Sequence, residues 1–171
     1  MLLAPGLAVT RFAQLQPGDL FILPYEEGGF VALKVSAPDG DMLMVPIGPS
    51  FPDGLPYPCL VAEPASTVIS LGKKYALRLP TRPEGWRLAP PGPQIHCIAV
   101  TEEGAFVRAS FVPPEDGYKP CYIALETGAI VTAGSGRLQP YVAPRGPLAF
   151  AVEWELLTQE AKPQRILACP W

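Results

Sequence analysis

The chain has 171 residues, a formal net charge of -3, and 17 % charged against 49 % hydrophobic residues. That is too apolar for a disordered chain, and the 13 basic residues are scattered, with Lys73-Lys74 the one adjacent pair, so no patch offers itself to nucleic acid or anionic lipid. Charged residues usually make up about 25 % of a soluble domain; the smaller share here leaves less charge to keep copies apart and points to a homo-oligomer or another protein partner.

In chain order, a helical turn is predicted around residues 11–15. Extended runs follow at 20–23, 30–35, 42–45, 67–70 and 75–79, and then at 95–100, 106–112, 122–125, 129–132 and 148–156. A second helical turn is predicted around 157–162. Pro interrupts nearly every longer helical window. Gly in Pro38-Asp39-Gly40, Glu126-Thr127-Gly128 and Gly134-Ser135-Gly136 supplies reversals between strands. The final run Ile166-Leu167-Ala168-Cys169 is expected to dock onto the body.

Three landmarks occur twice in the same order. Pro17-Gly18 returns as Pro91-Gly92, Glu26-Glu27-Gly28-Gly29-Phe30-Val31 as Glu102-Glu103-Gly104-Ala105-Phe106-Val107, and Pro58-Cys59-Leu60-Val61-Ala62 as Pro120-Cys121-Tyr122-Ile123-Ala124. The expected fold class is therefore all-β with little helix: two duplicated antiparallel β-units, packed as a pseudo-symmetric sandwich or as paired small barrels. Residues 1–79 form the first unit, 80–93 a Pro-rich connector in which Trp86 and Leu88 pack against the body, and 94–171 the second unit. The opening Phe12-x-x-Leu15-x-Pro17-Gly18-Asp19-x-Phe21 resembles the start of a small SH3-like barrel. On this alignment the first unit has an extra strand near 42–45 and an inserted loop at 47–57.

Chemistry-bearing motifs are sparse. Cys59, Cys97, Cys121 and Cys169 show no Cys-x-x-Cys spacing, so reduced buried thiols are expected, with no metal and no cofactor. Cys59 and Cys121 sit at matching places in the echo. His96 is the single histidine, and strand alternation turns it away from Cys97, which opposes a nucleophile-and-base pair. Glu153 and Glu155 flank Trp154 on one strand face. They are acid/base candidates if they share a cleft, and solvated residues if Val152, Trp154 and Leu156 form the buried face. Phosphate-loop, dinucleotide and nucleophile-elbow motifs are absent.

The N-terminus has no basic segment followed by an apolar stretch, and no run reaches the about 18 apolar residues of a membrane span. The expectation is a cytoplasmic protein that contacts neither membrane nor nucleic acid. Its function is expected to be a non-enzymatic binding or assembly module, with a small ligand as one possible partner. Phe51, Asp53 and Tyr57 in the inserted loop are the binding candidates, because prolines restrict that loop and lower the ordering cost of contact. The alternative is a small-molecule enzyme whose carboxylate-lined groove, with Glu153, Glu155 or His96, lies between the units.

Overall fold

The computed structural model describes residues 8–25, 28–36, 42–47, 60–73, 75–88, 97–111, 119–131, 149–159 and 165–169. Fifteen strands account for most of them, and no α-helix occurs among them. The strands are β1 (Ala8–Arg11), β2 (Leu20–Tyr25), β3 (Gly28–Ser36), β4 (Met42–Ile47), β5 (Leu60–Val61), β6 (Thr67–Gly72) and β7 (Tyr75–Arg78), then β8 (Trp86–Arg87), β9 (Ile98–Thr101), β10 (Gly104–Phe111), β11 (Lys119–Ala124), β12 (Ile130–Val131), β13 (Ala149–Ala151), β14 (Trp154–Thr158) and β15 (Arg165–Cys169).

They make three antiparallel sheets. The first has the order β1-β6-β2-β3-β4-β5, the second reads β8-β13-β9-β10-β11-β12, and the third is β15-β14-β7. The two larger orders are the same pattern, each strand of the second lying seven places later in the chain. Register repeats too. Val31 pairs with Ile47 and Leu33 with Val45 in the first sheet, and 76 positions later Val107 pairs with Ile123 and Ala109 with Cys121. The β2–β3 hairpin closes at Tyr25 opposite Gly28, and the β9–β10 hairpin at Thr101 opposite Gly104, so the Glu-Glu pair is the two-residue connection in both. Strands β7 and β14, which follow the two patterns, pair with each other, Leu77 opposite Leu156.

Apolar residues on one face of each large sheet share a single core. Leu33, Val35, Val45 and Ile47 meet Val107, Ala109, Cys121 and Ile123, and Trp154 and Leu156 of β14 join them. The reverse face of the first sheet carries its own cluster of Phe12, Phe21, Ala32, Met44 and Val68. The reverse face of the second does likewise with Cys97, Ala99, Phe106, Tyr122 and Phe150. Burial on both faces explains why runs such as Leu43-Met44-Val45 show no polar alternation.

Several expectations need correction. Among the described residues no sheet closes into a barrel: the outer strands β1 and β5 of the first, and β8 and β12 of the second, do not pair with each other. Register places Val45, not Cys59, where the second sheet has Cys121, so residues 42–45 are the third strand of the meander and not an addition. Ile47, assigned to the inserted loop, ends β4 and is buried. The connections after these strands still differ, 48–59 in the first sheet against 125–129 in the second. The run at 148–156 is broken by a bend at 152–153, and β14 replaces the start of the helical turn expected at 157–162. The turn near residue 11 is a 3₁₀ turn at Phe12–Gln14. Within the connector, Trp86 forms β8, packs on the core and donates its indole N–H to the Pro80 carbonyl at 3.0 Å, whereas Leu88 is 90 % exposed.

Candidate functional site

An open groove of about 490 Å³ runs between the second sheet and β7. One wall is built from the turns that end its hairpins, Glu103 to Phe106 on one and Ala124 to Thr127 on the other. These segments adjoin because Phe106 pairs with Ala124 and the Leu125 amide donates to the Ala105 carbonyl at 3.0 Å. The opposite wall is Lys73, Tyr75 and Leu77, with Gln159 at its end. Tyr75 and Leu77 are alternate residues of β7, so the extended strand turns them to one side, and Lys73 joins them from the turn that precedes it. Gln159 Nε2 donates to the Tyr75 carbonyl at 2.8 Å and ties the end of β14 to the same wall.

Tyr75 spans the groove's base. Its hydroxyl donates to the Leu125 carbonyl at 2.8 Å and lies 3.5 Å from the Gly18 carbonyl. Burial, with lesser contributions from the negative charges of Asp19 and Glu126, pushes the phenol up to about 12. At neutral pH it is therefore a fixed donor and not an acid or base. Lys34 is the one buried charged side chain among the described residues. Its ammonium donates to the Leu15 carbonyl at 2.6 Å and the Phe12 carbonyl at 3.2 Å, and it lies 5.0 Å from the Phe12 ring centroid. Burial lowers its pKa against a raising influence from Asp19. It pins the 3₁₀ turn to β3 and does not line the groove.

Of the residues singled out in the sequence, Phe51, Asp53, Tyr57 and His96 lie outside the described residues. Glu153 and Glu155 do not line the groove. Glu155 is ion-paired with Arg78 at 3.0 Å and with Arg165, while Glu153 meets Arg82 at 3.2 Å. Val152, Trp154 and Leu156 are buried beside them. Cys97 and Cys121 are buried in separate clusters. Among the described residues no group of three or more His, Cys, Asp or Glu is arranged to hold a metal, and no helix is long and apolar enough to cross a membrane.

The groove itself was not read from the sequence. Its lining is drawn from stretches between residues 73 and 159, and only the pairing of β7 with β14 and the sheet register bring them together. No protein-family model, curated protein or solved structure matches the chain.

Proposed function

We propose that this chain is a non-enzymatic binding module: two copies of one seven-stranded β-unit fused in tandem, with the groove beside Tyr75 receiving a small ligand. The observation that carries the reading is the groove's composition. Its volume is within the about 300–1,000 Å³ of small-molecule sites. Its lining combines an apolar bed of Leu77, Ala105, Ala124 and Leu125 with a polar rim of Lys73, Glu103, Glu126, Thr127 and Gln159. Among the described residues neither histidine nor cysteine lines it, and Tyr75 keeps its proton at neutral pH, so the described lining offers no imidazole or thiolate pair.

Duplication accounts for the second part of the proposal. One ancestral unit would give both strand orders, the common register and the pairing of β7 with β14 about a pseudo-twofold axis. The copies then diverged mainly in connections, 48–59 against 125–129 and 62–66 against 132–148.

A fragment-library thermal-shift screen on the wild type and on Lys73→Trp tests the binding role, since Lys73 is exposed at the rim and tryptophan there fills the opening. Fragments that raise the melting temperature of the wild type and leave the variant unmoved, at equal urea midpoints of the two proteins, support it. A screen without hits, or hits that stabilise both proteins equally, overturns it.

A further inference from the structure

The charge around the groove is uneven. Glu103, in the β9–β10 turn, and Glu126, after β11, put two exposed carboxylates on the wall of the second sheet, and the Leu125 carbonyl faces Tyr75 at its base. Among the described lining residues Lys73 alone is cationic. The negative field reaches the base as well, because Asp19 and Glu126 add to burial in holding the Tyr75 proton. Beneath the rim the bed is apolar, and burial of apolar area there favours a hydrophobic body at roughly 25 cal/mol per Å² removed from water.

The geometry points to a small amphipathic cation as the occupant, its amine directed to Glu126 on the turn side and its apolar body laid over Leu77, Ala105 and Ala124; this assignment rests on the binding role proposed above. An anion would meet two carboxylates for one ammonium, and a bare metal ion would leave the apolar bed unused. A neutral molecule of the same shape gains the apolar contact and lacks the charge term.

Three probes that share a phenyl ring on a two-carbon chain separate these cases: 2-phenylethylamine, 2-phenylethanol and 3-phenylpropanoate, titrated into the wild-type protein at low ionic strength and followed by amide chemical shifts. The amine is expected to bind about two- to fivefold more tightly than the alcohol, the scale of a solvent-exposed ion pair, and the carboxylate more weakly than both. Glu126→Gln should bring the amine down to the alcohol, Lys73→Gln should strengthen the amine, and about 1 M salt should erase the preference. Alcohol or carboxylate binding as tightly as the amine, or a preference untouched by Glu126→Gln, overturns the cation assignment and leaves the groove's binding role standing. If none of the probes binds while neutral fragments do, the assignment falls alone. If neither probes nor fragments bind, both readings fall.

Discussion

Gly18 and Gly128 meet where the two large sheets join, so closely that neither position has room for a β-carbon. A Cβ on Gly128 would lie 2.4 Å from the Lys34 carbonyl oxygen and 2.5 Å from the Gly18 nitrogen, and one on Gly18 would lie 2.3 Å from the Glu126 carbonyl oxygen. Both glycines have positive φ, 85° and 66°. The contact is stitched by the Gly18 amide donating to Lys34 and the Ser36 amide donating to Gly128, at 2.9 and 2.8 Å. A left-handed conformation alone costs an L-residue roughly 1–2 kcal/mol, and the clash is with backbone, which cannot swing aside. Gly18→Ala and Gly128→Ala should each lower stability by more than about 2 kcal/mol in urea denaturation. Midpoints equal to wild type would mean that the junction does not hold the sheets together.

Lys34 gives a second prediction. Lys34→Ala removes the donors to Phe12 and Leu15 and the alkyl stem packed beneath them, and leaving buried carbonyls without partners costs about 1–3 kcal/mol. Lys34→Met keeps the stem and should recover part of that loss. Equal urea midpoints for the wild type and Lys34→Ala would remove the pin from the fold.

Tyr75 links stability to alkaline pH. Its folded pKa, about 12, lies above the ordinary value of 10.0. Between those values the folded state holds a proton that the unfolded chain has released, so this contribution is complete below pH 10 and lost as pH rises towards 12. Tyr75→Phe should flatten that part of the stability profile, and at pH 7 it should cost about 0.5–1.5 kcal/mol for the lost bond to Leu125. Spectrophotometric titration provides the direct check: a phenol that ionises near 12 in the wild type is missing from the variant, while Tyr122, also raised by burial, persists in both. Ionisation of every phenol near pH 10 would contradict the bond.

Phe106 and Val107 face opposite ways, and both are buried, at 5 % and 0 % exposure. One packs in the second sheet's own cluster and the other in the shared core. Phe106→Ala should therefore cost about 3–5 kcal/mol. Phe30→Ala should cost less, because Phe30 is only partly buried against the first sheet's cluster. Identical denaturation midpoints for the wild type and both variants would refute the two-faced packing.

The β character was legible in the sequence because Pro and Gly cut the apolar runs to strand length. The Glu-Glu-Gly echo falls between strands that pair alike in both sheets, Tyr25 opposite Gly28 and Thr101 opposite Gly104. The Pro-Cys echo misled, since matching letters at 58–62 and 120–124 competed with the register that pairs Leu33 with Val45 and Ala109 with Cys121. Register is fixed by which side chains fill the shared core, and that is a property of two strands at once. Strands of two residues, such as β5, β8 and β12, carry no periodic signal. Glu153 and Glu155 caught attention through their spacing, yet their partners Arg78, Arg82 and Arg165 arrive from elsewhere in the chain. The groove depends in the same way on β7 crossing to pair with β14, which no local pattern announces.

The groove's role as the binding site is tested most directly by mapping the best stabilising fragment onto the protein through amide chemical-shift perturbation. The account predicts saturable shifts concentrated at Tyr75, at 103–106 and at 124–127, all of them abolished in Lys73→Trp. Saturable shifts confined to the first sheet, or shifts that persist unchanged in Lys73→Trp, would contradict it.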